Sequence, residues 1–149
     1  MVSIIMPIRN EADFIERAIK SILENDYPAG KMEILVVDGM SDDGTREIVR
    51  KLSQADGRVR MLDNFRRIVP TAMNIGLKAA RGEQFIRIDG HAEIPRDFIT
   101  KAVRCLAEHR EAWVVGGPIK TVADSYTGRA IAAAMRSPIG VGNSRFRLG

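Results

Sequence analysis

Two apolar, β-branched runs, VSIIMPI at residues 2–8 and EILVVD at 33–38, are each followed by apolar residues at helical spacing, and this alternation limits the fold more than any other feature. After the first run, Phe14, Ile15, Ala18, Ile19, Ile22 and Leu23 mark one face of a helix that Tyr27-Pro28 stops. After the second, a helix begins near Thr45 with Ile48, Val49 and Leu52 on its apolar face, and RVRMLD at 58–63 reads as a third strand. Pro70 suits the first turn of another helix and Gly82 its end. QFIRI at 84–88 is the next strand, followed by a helix from about Pro95 to His109 with Phe98, Ala102 and Leu106 inward. AWVVGGPI at 112–119 is a further expected strand. Strands alternating with helices predict an α/β fold, a mostly parallel sheet covered by helices on both faces.

At 149 residues and 45% hydrophobic, the chain fits one domain, 1–149, with an ordinary core. A net charge of +4 favours anionic ligands, but the basic residues are spread across helices without interleaved aromatics, which argues against nucleic acid. The lone Cys105 cannot form an internal disulfide and reads as a small apolar residue on a helix, consistent with a reducing compartment. The first apolar run meets Arg9 and Glu11 too soon for a signal peptide, and no stretch approaches the roughly 18–20 apolar residues of a membrane span. A soluble chain is expected. The end, from Ala130, reads as a short Ala-rich surface helix and a tail of glycines and arginines.

Ligands of open parallel sheets bind beyond the carboxyl ends of the strands. Three of the expected strands end in polar groups: Pro7, Arg9, Asn10 and Glu11 after the first, Asp38 and GMSDDGT with Ser41 after the second, and Asp89, Gly90 and His91 after the fourth. They converge only if those strands are neighbours. Asn10 either caps the first helix, with Asp13 at its third position, or belongs to the ligand edge, and Asp43 or Thr45 suits the cap of the second helix. No cap needs Asp38, so a ligand role is expected there. Neither a Gly-x-Gly-x-x-Gly turn nor a Gly-Lys-Ser/Thr loop is present to hold phosphates. A divalent cation on Asp89 and His91, with Arg66, Arg67 or Arg9, would neutralise a diphosphate instead. Arg87, one residue from isoleucines on either side, either pairs with Asp89 or another carboxylate, the reading favoured, or directs its guanidinium to the ligand.

VSIIMPIRNEADFIERAIKSIL, YPAGKMEILVVDGMSDDGT, NIGLKAARGE and IRIDGHAEIP, in this order and spacing, resemble family 2 glycosyltransferases of the GT-A fold over most of residues 2–98. The DGH triplet, with RRIVPTAMNIG, GGPI and SPIGVGNSRFR, is most similar to bacterial succinoglycan-type exopolysaccharide glycosyltransferases. The resemblance implies transfer of a sugar from a nucleotide-diphosphate donor, usually UDP-linked, to a saccharide or lipid-linked acceptor at the cytoplasmic face of the bacterial membrane, with inversion. By position it implies that Pro7, Arg9 and Glu11 border base and ribose, that Asp38 bonds the uracil, and that Arg66 or Arg67 approaches the diphosphate. Asn10, Ser41 and Gly90 lie in the same nucleotide-binding blocks. Asp89 corresponds to the first aspartate of the family's Asp-x-Asp motif, and His91 replaces the second, the metal ligand. Imidazole is softer than carboxylate and suits Mn²⁺ better than Mg²⁺.

The family's general base lies in a segment that Glu93, Glu108, Glu111 and Asp124 do not match, and it is expected beyond Gly149. The resemblance therefore implies the N-terminal portion of a longer enzyme, one that binds donor but is inactive or weakly active alone. Membrane association through the remaining part and self-association through an uncovered surface are further expectations. Two rival readings stay open: a nucleotidyltransferase, which would want a Gly-rich basic loop where PIRNEADF stands, and a non-catalytic nucleotide- or saccharide-binding module.

Overall fold

The structure, a computed structural model, describes residues 1–122 and 125–134. Asp124 and the glycine- and arginine-bearing tail, with SPIGVGNSRFR, lie outside the described residues. The chain divides into two compact units, Met1–Val103 and Arg104–Gly149. The first contains β1 (Val2–Ile8), α1 (Ile15–Leu23), β2 (Met32–Asp38), α2 (Thr45–Ala55), β3 (Val59–Asp63), α3 (Val69–Ala79) and β4 (Gln84–Arg87); α4 (Phe98–Glu108) begins in it, and α5 (Tyr126–Ala134) belongs to the second. No described helix is long and apolar enough to cross a membrane.

All strand pairs are parallel, in the order β3-β2-β1-β4, with Ile4 opposite both Ile34 and Ile86. Every residue of β1 and β2 is buried, which is why both read as unbroken apolar runs. Val2, Ile4, Met6 and Ile8 join Ile15, Ala18, Ile19 and Ile22 of α1, Val49 of α2 and Ile99 of α4 in one core layer. Ile5, Leu35 and Val37 face the other way, onto Ala72, Met73 and Ile75 of α3. Contact is so close there that a Cβ on Gly76 would stand 2.5 Å from Cγ2 of Ile5. The expected parallel sheet with helices on both faces is the one observed.

The chain winds outward from β1 through β2 to β3, then crosses back to place β4 on the far side of β1. Right-handed crossovers put α3, which makes that return, on the face opposite α1 and α2. The strand order therefore reverses between β1 and β4, and ligand crevices of open sheets form where it reverses.

The run AWVVGGPI is not a strand: Trp113 and Val114 are exposed and no ladder includes this run among the described residues. β-propensity is realised only against a neighbouring strand, and Arg104–Gly149 contains none among its described residues. α3 begins one residue before Pro70 and ends at Ala79, short of Gly82, and α4 begins at Phe98 rather than Pro95. Its inward residues are Phe98, Ile99 and Val103, with Ala102 and Leu106 half-buried. Cys105 lies on this helix, as expected.

At the amino end of the sheet, Glu33 is buried in β2 and accepts hydrogen bonds from Ser3 Oγ (2.8 Å), the Arg81 N–H (2.6 Å) and Arg60 Nη1 (3.0 Å). Burial alone pushes its pKa up, but the bonds from Arg81, Ser3 and Arg60 outweigh it and hold the carboxyl below the usual range. A pKa depressed by folding gives stability that is full above the unfolded value and is lost as pH falls through the folded value. Glu33→Gln keeps acceptors for Ser3 and Arg81 but removes the charge facing Arg60. It is expected to cost about 1–2 kcal/mol in urea denaturation at neutral pH, and the difference from the parent should close in acid below the ordinary glutamate range.

Candidate functional site

At the carboxyl edge, the loop after β1 is tied to the loop after β2. The Asn10 N–H donates to Ser41 Oγ (2.9 Å), the Asp42 N–H to Asn10 Oδ1 (3.1 Å), the Glu11 N–H to Thr45 Oγ1 (2.8 Å) and the Ala12 N–H to Asp43 Oδ2 (3.0 Å). Asn10 thus serves the loop and does not cap α1, which begins at Ile15 without a side-chain cap; Asp13 precedes the helix. Gly44, at φ 100°, is the cap residue of α2, while Asp43 Oδ1 accepts from the first helical N–H, that of Thr45, at 3.0 Å. Burial pushes the Asp43 pKa up, and the bonds from Thr45 and Ala12 more than offset it, leaving it below the usual range. Asn10, Met40 and Arg67 adopt φ of 54°, 59° and 58°. All three stand in loops at this one edge, and such backbone strain gathers at functional sites.

Asp38 is fully buried. It accepts from the Ser41 N–H (3.1 Å), from Ser41 Oγ, and from Arg46 Nη1, whose Nη2 donates to Asp63 Oδ1 at 2.7 Å. Arg46 therefore joins the carboxyl ends of β2 and β3, and its bonds to Asp63 and Asp38 raise its pKa further. Arg46 was not among the residues expected at this edge. Its signal was a cation in the first turn of α2, against the helix dipole, which calls for a nearby anion.

Asn64, just after β3, was not expected there either. It is buried, its Nδ2 donates to Ile68 O at 3.0 Å, and its Oδ1 has no hydrogen-bond partner among the described residues.

β1 lies between β2 and β4, so the condition for convergence is met. A cavity of about 250 Å³ is lined by Pro7, Arg9 and Glu11 from the β1 end, Asn64 and Arg67 from the segment before α3, and Arg87, Asp89 and His91 from the β4 end. Of the two candidate arginines after β3, Arg67 lines it and Arg66 does not. Asn10 and Ser41 lie in the adjoining loops and Asp38 at the end of β2 beneath them, none of the three in the wall. Arg87 Nε donates to Asp89 Oδ1 at 2.9 Å, the expected pairing, and His91 Nδ1 is 2.9 Å from Glu11 Oε1. Gly90 permits this meeting, because a Cβ there would stand 2.9 Å from Glu11 Cγ and 3.0 Å from Ile8 Cγ2.

Among the described residues, no three His, Cys, Asp or Glu side chains gather closely enough to hold a metal alone. Asp89 and His91 supply an oxygen and a nitrogen, which fits a cation whose remaining positions go to water and phosphate oxygens.

Residues 3–140 match the family described as Glycosyl transferase family 2. The chain is 37% identical over 149 residues to the succinoglycan biosynthesis protein ExoA of Rhizobium meliloti, covering 98% of this chain and 44% of that protein. It is 31% identical to the glycosyltransferase AglE of Haloferax volcanii, over 71% of this chain and 35% of that one. Among solved structures, the mannosyltransferase PcManGT of Pyrobaculum calidifontis, in complex with GDP-Man and Mn²⁺, superposes with a TM-score of 0.70 at 34% identity, over 89% of this chain and 39% of that one. The present chain thus spans less than half the length of these relatives. With that match over most of its length, and with the parallel sheet of GT-A glycosyltransferases, the chain belongs to glycosyl transferase family 2.

Proposed function

We propose that this domain binds the nucleotide diphosphate of a sugar donor, UDP in the first instance, between the carboxyl ends of β1 and β4. The enzyme that contains it would pass the sugar to a saccharide or lipid-linked acceptor in bacterial exopolysaccharide synthesis, at the cytoplasmic face of the membrane and with inversion. One observation carries the proposal: Glu11, Arg67, Asp89 and His91, distant in sequence, line one cavity where the strand order reverses. Family membership and the name of the succinoglycan relative support the reaction class. Relatives more than twice as long leave room for acceptor binding and the general base in the part they have beyond this domain.

Pro7 and Arg9 border base and ribose, with Asn10 and Ser41 tying together the loops beside that wall, and Arg67 offers its guanidinium to the diphosphate. Asp89 and His91 hold the divalent cation, which when bound neutralises the diphosphate leaving group. The His91 nitrogen favours Mn²⁺ over Mg²⁺, and the mannosyltransferase neighbour carries Mn²⁺. A base contact to Asp38 requires the Ser41 segment to yield, since the carboxylate is buried and already accepts from Ser41 and Arg46. Asn64, whose residue borders the cavity, offers a second acceptor lacking a partner among the described residues, but its Oδ1 is buried too and a base N–H would reach it only after a similar movement.

Calorimetric titration of UDP and of GDP into the chain, with Mn²⁺ and then with EDTA, tests the reading. UDP should bind with Mn²⁺, lose at least about 10-fold in EDTA, and outcompete GDP. Tighter GDP binding would reassign the base, and no binding of either nucleotide with Mn²⁺ would refute the site.

A further inference from the structure

We propose that Glu11 is a positioning residue that fixes His91 as its Nδ1–H tautomer, leaving Nε2 as the nitrogen that receives the divalent cation; the cation itself rests on the function proposed above. An ionised carboxylate can only accept hydrogen bonds, so the 2.9 Å contact between Glu11 Oε1 and His91 Nδ1 makes Nδ1 the donor. In a neutral imidazole the lone pair then resides on Nε2. A carboxylate that orients a ligating histidine through its other nitrogen is a general device of metal sites.

The two partners differ in freedom. The His91 side chain is 61% exposed and that of Glu11 only 18%. Glu11 is anchored at both sides of its peptide: its N–H donates to Thr45 Oγ1 at 2.8 Å, and its carbonyl accepts from the Phe14 and Ile15 N–H groups at 3.0 and 2.8 Å. Its Cγ lies over Gly90, where a Cβ would come within 2.9 Å. The rigid member therefore orients the mobile one, and the glycine between Asp89 and His91 is what lets the carboxylate pass. Asp89, whose Oδ1 accepts from Arg87 Nε at 2.9 Å, makes no hydrogen bond to His91 that could fix the ring instead.

The test is a long-range ¹⁵N–¹H correlation spectrum of the ¹⁵N-histidine-labelled chain at about pH 8, above the ordinary histidine range, for wild type, Glu11→Gln and Glu11→Ala. The expected spectrum shows His91 protonated on Nδ1 in wild type and in Glu11→Gln, whose carbonyl oxygen still accepts, and moved toward the Nε2–H form in Glu11→Ala. Mn²⁺ affinity in the presence of UDP, read by calorimetry, should fall about 10- to 100-fold in Glu11→Ala and largely recover in Glu11→Gln. An Nε2–H or doubly protonated His91 in wild type, or a tautomer that Glu11→Ala leaves unchanged, would overturn the assignment. Backbone amide spectra outside the loop, unchanged across the variants, separate this from misfolding. If wild type binds UDP without help from Mn²⁺, the cation leaves the proposed function, while the tautomer spectrum still decides whether Glu11 holds His91.

Discussion

Arg46→Ala is expected to lower the unfolding free energy by about 3–5 kcal/mol, the usual loss when one member of a buried ion pair is removed. The Asp38 carboxylate has no solvent exposure and the Arg46 side chain is 14% exposed, so water cannot replace the guanidinium once it is gone. Among the described residues, Ser41 would remain as the only donor to a buried charge. Asp63, with a side chain 43% exposed, loses less, because solvent already screens its bond to Arg46. Arg46→Lys should fall between, since one ammonium cannot reproduce a planar fork that reaches two carboxylates. Urea denaturation of the three proteins checks this, and a loss under about 1 kcal/mol for Arg46→Ala would mean that Asp38 is not the buried anion described here.

The largest functional effect is expected at Asp89. Asp89→Asn keeps the shape and an acceptor for Arg87 but removes the charge beside His91, so UDP affinity measured with Mn²⁺ should fall at least about 10-fold, to the level wild type shows in EDTA. Arg87→Ala should cost far less, since its partner Asp89 is 44% exposed and keeps its charge. Equal losses for the two variants would show that the ion pair, and not a cation, is what the nucleotide needs.

β1 and β2 were readable because burial on both faces leaves an unbroken apolar run, and α1 because its four buried residues keep helical spacing. AWVVGGPI looked the same and was not a strand, since apolar β-branched residues state a preference and only a partner realises it. The polar ends of β1, β2 and β4 were recognisable one by one, but their meeting depended on the strand order, which no local pattern encodes. Asn10 looked like a helix cap by spacing, yet its partners Ser41 and Asp42 lie 31 and 32 residues away. The His91–Glu11 contact was hidden for the same reason, its partners lying 80 residues apart, whereas Arg46 carried a local sign in its place at the start of α2.

The central claim is a nucleotide-diphosphate site at the reversal between β1 and β4, and its most direct test is a crystal structure of the chain with UDP and Mn²⁺, with anomalous data collected at the manganese edge. The expected map has one manganese peak between Asp89 and Nε2 of His91, with the diphosphate completing its coordination and Arg67 against the phosphates. UDP or manganese located elsewhere, for instance in the separate cavity lined by Ser21, Glu24, Ile94 and Arg96, would contradict it.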